Sequence, residues 1–159
     1  MRPSLGACFL FFSSLAVAAP NYAPDGAALH DTTEDMITGV SYPDERTMVV
    51  NAILTIHYSG RMTGVATYDA TYTIDQVSFD ACLSGTGSFT GTLDGVAIAT
   101  TLELARDGLC GNVGAGVIGG IIKIVGVGKN YIQCAKSPLN SYEYLCTYRL
   151  FAPKSRFWH

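Results

Sequence analysis

The sequence predicts an all-β domain: an antiparallel barrel of about eight strands, with a β-sandwich as the alternative, preceded by a cleaved signal peptide. Three observations predict it. From Met48 onward apolar residues recur with a period of two, and no long segment carries the 3.6-residue period of an amphipathic helix. Turn residues punctuate the chain at intervals of roughly 8–12 residues. The chain holds 17 glycines, which barrel strands use where they bend sharply. A closed barrel is preferred because successive hairpins make a meander, and closure removes edge strands that would otherwise need protection.

The first element is an export signal. A short basic start, Met1-Arg2-Pro3, leads into an apolar run from Leu5 to Leu15, followed by the small-x-small pattern Ala16-Val17-Ala18. The run is too short for a membrane span, which takes about 20 residues, and it fits a signal peptide over residues 1–18 cut after Ala18. The expected location is therefore secreted and extracellular. Residues 19–47 carry Pro20, Pro24 and Pro43 and a polar stretch around His30 to Asp35. They read as an N-terminal lead-in with at most a short helical turn or edge strand.

The barrel domain is read over residues 48–151. Met48 to Tyr58 alternates strictly. Met48, Val50, Ala52, Leu54, Ile56 and Tyr58 form one apolar face, and Asn51, Thr55 and His57 lie on the other. Ser59-Gly60 turns the chain into a second β region, Met62 to Ile74. Short strands follow over residues 78–83 and 85–92. Asp94-Gly95 between alternating segments is a strong hairpin signal. Val96, Ile98, Thr100, Leu102 and Leu104 make the next inward face. Arg106-Asp107-Gly108 reads as a turn, and Gly111 to Gly120 as a glycine-rich link. Strands over 121–127, 131–135 and 142–151 complete the set, and residues 152–159 are a tail.

Composition narrows the function. The chain has 159 residues, a net charge of −3 and only 14% charged residues, against roughly 25% in an ordinary domain. It lacks the basic footprint of a nucleic-acid binder and the acidity of a disordered tail. No stretch of the barrel region makes a stable membrane span. Cys8 leaves with the signal. Cys82, Cys110, Cys134 and Cys146 remain, an even set that reads as two disulfides among three possible pairings. Cys82–Cys110 and Cys134–Cys146 are favoured because each closes a local loop. No C-x2-C knuckle is present, so no metal is expected, and no cofactor. Gly114-Ala115-Gly116-Val117-Ile118-Gly119 matches G-x-G-x-x-G, but the residues after it read as strand where a dinucleotide site needs a helix.

No catalytic set emerges. There is no G-x-S-x-G elbow. His30, His57 and His159 have no triad around them in the sequence. Glu103 sits on a strand and Asp75, Asp94 and Asp107 are turn residues. Asn51, His57 and Glu103 would serve a cyclase- or isomerase-type site only if they pointed inward, and they share the face opposite the apolar one. The expected function is therefore binding of a small hydrophobic ligand, in a cavity lined by Leu54, Ile56, Tyr68, Tyr72, Ile98 and Leu102. The alternatives are a cyclase- or isomerase-type enzyme, and a secreted effector or surface-interaction protein using the 111–128 segment. No nucleic-acid partner is expected, and the sequence does not identify a partner protein.

The stretch Gly85-Thr86-Gly87-Ser88-Phe89-Thr90-Gly91-Thr92-Leu93-Asp94-Gly95, with Gly119-Gly120 later leading into Ile121, resembles uncharacterised bacterial-type β-barrel domains of the allene-oxide-cyclase-like, dirigent-related fold. The similarity spans residues 48–135. It implies an eight-stranded antiparallel barrel with a central cavity. No activity or functional residue comes with it, and the four cysteines depart from the pattern.

Overall fold

A computed structural model describes residues 24–30 and 34–151. The signal peptide, the tail and His159 lie outside the described residues. The described chain forms strands β1 (Gly26–His30), β2 (Met36–Ser41), β3 (Thr47–Gly60), β4 (Met62–Asp75), β5 (Asp80–Leu93), β6 (Val96–Asn112), β7 (Val117–Ile124), β8 (Gly128–Lys136) and β9 (Glu143–Phe151). From β3 to β9 each strand pairs antiparallel with the next, and β1 pairs with both β3 and β9. Eight strands thus close an antiparallel barrel, as the alternation predicts. β2 is the ninth, laid along the free half of β3.

The barrel wall begins earlier than the sequence suggested. Gly26–His30 stands opposite Gly60–Ile56, and Met36–Ser41 opposite Ile53–Val49. The stretch read as a lead-in is therefore one interrupted partner for β3, and its first piece is the strand that closes the ring. The segment is proline-punctuated, and β1 is only five residues long, too short for a period-two pattern to stand out. Asp35 repairs the interruption: its Oδ1 accepts from the Thr55 N–H at 3.4 Å, between the two ladders.

Two other expectations change. Residues 78–92 were expected as two short strands, yet Asp80–Leu93 is one. Arg106-Asp107-Gly108 was expected as a turn, yet β6 runs through it as a wide bulge. Residues 105–108 face one residue on each neighbour, Ser84 and Ile121, and the ladder resumes at Leu109 in a shifted register. Turn-forming residues here bend a strand without ending it. Gly120 lies against this bulge at φ +157°, where a Cβ would strike the Gly108 carbonyl. The Asp94-Gly95 hairpin forms as predicted, with φ of 49° and 81°. These are the positive values a two-residue turn of this kind needs.

Inward residues fill the barrel. Leu54, Met62, Ala66, Tyr68, Phe89, Leu102, Ile122 and Ile124 are all buried in one cluster. The glycine-rich run of β5 makes room for the rings. Gly87 faces Tyr68 in register, and a Cβ there would lie 2.6 Å from the Tyr68 ring. The Phe89 and Tyr58 rings meet edge to face at 6.2 Å. Both disulfides join residues directly opposite on neighbouring strands, Cys82–Cys110 across β5 and β6 and Cys134–Cys146 across β8 and β9. The first is half exposed, while the second belongs to the buried core.

Candidate functional site

Of the six residues expected to line a cavity, three form a sealed plug. Leu54, Tyr68 and Leu102 expose 2%, 0% and 0% of their surface. Tyr68 shares a 3.0 Å hydrogen bond with the Tyr58 hydroxyl. Ile56, Tyr72 and Ile98 are only half buried and rest against the plug. They do not form one site. Tyr72 lies near the β4–β5 turn, and Ile98 near the Asp94-Gly95 turn at the other end of the barrel.

The end that holds Tyr72 is the candidate site. Inward positions there remain accessible although they are apolar. Val50 faces both Tyr72 and Val40, and Ala52 faces Ile37. Val50 is half buried, while Ile37 and Val40 expose 66% and 50%. A face that is core elsewhere meets solvent here, because β2 has no further strand on its outer edge among the described residues.

Polar groups gather at this mouth. His30 pairs in register with Ile56, so both lie on the inner face. Its Nε2 lies 2.6 Å from Asp35 Oδ2 without hydrogen-bond geometry, and both side chains are largely shielded. The Tyr72 hydroxyl has its pKa pushed up to about 12, first by burial, then by the Asp35 carboxylate and by Tyr144. Tyr144 lies opposite Ala28 on β1 and is half buried against the core. Asp35 thus contacts His30, and its charge acts on the Tyr72 hydroxyl. In the sequence His30 reads only as part of the polar lead-in. Its contact with Asp35 depends on both residues lying along β3, which no local motif announces.

Deeper inside, burial raises the pKa of Tyr58, Tyr68 and Tyr148 as well. The Tyr148 hydroxyl and both amide atoms of Asn130 are buried with no partner among the described residues.

The residues considered for a cyclase-type site are not in the barrel. Asn51 is exposed and accepts from the Thr71 hydroxyl at 2.8 Å. Glu103 pairs with Lys123 at 2.6 Å on the outside. His57 faces Val65 and Leu29 on the outer face. Asp75 and Asp94 are structural, for Asp75 accepts from the Val77 and Ser78 backbone and Asp94 clamps Arg61 at 2.7 and 2.9 Å. The G-x-G-x-x-G match spans the β6–β7 turn and runs into strand β7, with no helix. An outer groove of about 850 Å³ lies along β4, β5 and β6, lined by Thr71, Thr73, Asp80 and the Cys82–Cys110 bridge. Among the described residues no helix is long and apolar enough to cross a membrane. No family model, curated protein or solved structure matches the chain.

Proposed function

We propose that this is a secreted, disulfide-stabilised barrel that binds a small hydrophobic ligand at the mouth formed by β2, β3 and β4. One observation carries the reading: the inward face at this end keeps Ile37, Val40 and Val50 accessible around the Tyr72 ring. Apolar walls with a few convergent polar groups are the usual make-up of a small-molecule site. Ile56 and Tyr72 are wall residues, while Leu54, Tyr68 and Leu102 are the packed floor beneath. Ile98 serves the core at the far end and takes no part in binding. The resemblance of the 85–95 segment to allene-oxide-cyclase-like domains fits such a barrel.

The test is titration with the apolar fluorophore N-phenyl-1-naphthylamine. Saturable binding is expected, weakened at least about tenfold by Ile37→Asp, which places a charge in the mouth. Ile98→Ala should leave affinity unchanged. Loss of binding in Ile98→Ala but not in Ile37→Asp would move the site to the other end. A flat titration would remove the reading.

A second reading rests on a separate surface. Val117, Ile121, Tyr131 and Leu145 are exposed apolar residues on the outside of β7, β8 and β9, and Ile121 faces Tyr131 in register. Such a strip suits a protein contact. An Ile121→Lys variant that loses a partner captured from the native culture fluid, while still binding the fluorophore, would favour it.

A further inference from the structure

We propose that the outer wall of β7, β8 and β9 docks onto a bilayer surface rich in anionic phospholipids, lying on it without spanning it. The wall is separate from the β2–β4 mouth. It contains the apolar strip of the second reading, which names a protein where the chemistry of the whole wall favours lipid.

Charge is divided along the chain. Twelve of the thirteen Asp and Glu precede residue 108, Glu143 being the exception, while six of the ten Lys and Arg follow it. β7, β8 and β9 are consecutive neighbours in the sheet, so a division in sequence becomes a division in space. The register then sets apolar and cationic side chains in two adjacent rows across these strands. Ile121 faces Tyr131, which faces Arg149, and Lys123 faces Lys129, which faces Phe151. All six are exposed. The two rows lie roughly 7 Å apart, two residues along a strand.

The cations here are not used up inside the molecule. Lys123 Nζ lies 2.6 Å from Glu103 Oε2, but Lys129 and Arg149 pair with no acid among the described residues. Lys123 and Lys129 stand directly opposite each other, an arrangement that like charges disfavour. A pocket of about 430 Å³ at the β7–β8 turn is lined by these two lysines with Val127 and Phe151. A phosphate beside the pocket would relieve the repulsion, and its apolar lining suits the hydrocarbon below a headgroup.

An anionic bilayer meets both halves of this chemistry. Its phosphates attract the cations, whose stems lie along apolar surface while their heads stay at headgroup level. Ile121 and Phe151 reach the acyl boundary, and the Tyr131 ring suits the interface. A nucleic acid would take the cations but leave Ile121 and Phe151 without an apolar partner. A second copy would have to offer its acidic side. The outer face of β4 and β5 is mainly hydroxyl there, with Thr63, Thr67, Ser88 and Thr90 exposed, so it too gives Ile121 and Phe151 little to pack on.

The experiment is co-sedimentation of the disulfide-bonded protein with vesicles of phosphatidylcholine, or of equal parts phosphatidylcholine and phosphatidylglycerol. Binding to the anionic vesicles is expected to weaken steeply as salt is raised and to be at least about tenfold weaker on phosphatidylcholine alone. Lys129→Gln combined with Arg149→Gln should weaken it on the order of thirtyfold. Ile121→Ser should weaken it about fivefold or more at every salt concentration, while Thr90→Ala should leave it unchanged. Each variant should keep its thermal melt and, without vesicles, its fluorophore binding. A folded protein that ignores anionic vesicles would overturn the proposal and leave the mouth reading standing. Equal binding to both vesicle types, insensitive to salt, would overturn the role of the cations. Self-association, or an Ile121-dependent protein partner, without vesicle binding would overturn the proposal and give the wall to a second copy or to that partner.

Discussion

Asn130 faces inward on β8, in register with Ile122 and Leu150, and exposes 1% of its surface. An amide buried without hydrogen bonds costs about 1–3 kcal/mol. Asn130→Leu is therefore expected to raise the urea midpoint, gaining on the order of 1 kcal/mol. A lower midpoint would show that the amide is satisfied inside the barrel. Gly87 makes the opposite case. Its missing Cβ is space that the Tyr68 ring needs, and that ring is fully buried. Gly87→Ala should lower stability by about 1–3 kcal/mol through overpacking, readable in the same unfolding curves. Legibility at this scale divides along similar lines. Alternation placed Leu54, Tyr68 and Leu102 on the inner face because a period of two assigns faces without knowledge of partners. It could not tell a filled interior from a cavity, because that depends on which rings meet which glycines across strands. The His30–Asp35 contact was likewise hidden, since it depends on β1 and Asp35 both lying along β3.

Among the elements, the two disulfides brace different things. Cys134–Cys146 lies in the core, while Cys82–Cys110 is half exposed along the outer groove. Increasing amounts of a phosphine reductant should open Cys82–Cys110 first, measured by alkylation and peptide mass mapping. Reduction of Cys134–Cys146 first would mean that the groove does not admit the reagent. The outer bridge closes 28 residues and the inner one 12. By chain entropy alone the outer bridge stabilises more, by on the order of 0.7 kcal/mol. It also fixes the register of β5 on β6 just past the bulge at residues 105–108. Hairpins with a strong turn dipeptide, such as Asp94-Gly95, were readable because the turn and the flanking alternation agree. The bulge was not, because Arg-Asp-Gly satisfies a turn and a bulge equally well. β1 and β2 were not placed within the lead-in because neither is long enough to show its period.

Over the whole molecule, the inner tyrosines set the alkaline limit. Tyr58, Tyr68, Tyr72 and Tyr148 all hold their protons above the ordinary value of 10.0, chiefly through burial. Above pH 10 the unfolded chain binds fewer protons than the native one, so stability falls as pH rises. The contribution is complete below pH 10 and is lost progressively through about 12, where Tyr72 titrates. The buried tyrosines' share of the tyrosinate absorbance and the far-UV circular dichroism should then change in one cooperative step. A separate, earlier ionisation of buried tyrosines would contradict the sealed plug. On the acid side, Asp44, Asp75, Asp80 and Asp94 are held below 3.8, mainly by hydrogen bonds. Their stabilisation is present above that value and lost as pH falls through their lowered values, a small effect because all four face solvent. The barrel class itself was legible, since strands without helices and with short turns leave few other architectures. Which strand closes it was not, because the closing strand is the least patterned one. That strand also governs timing. β3 through β9 each pair with a neighbour in sequence, so their hairpins can form one after another as the chain emerges. β1 is different: Gly26 meets both Gly60 and Cys146. The ring therefore cannot shut until nearly the whole described chain has been made, and until then the molecule is a curled sheet with both margins open. Completion is the moment at which the first described strand clasps the last described one.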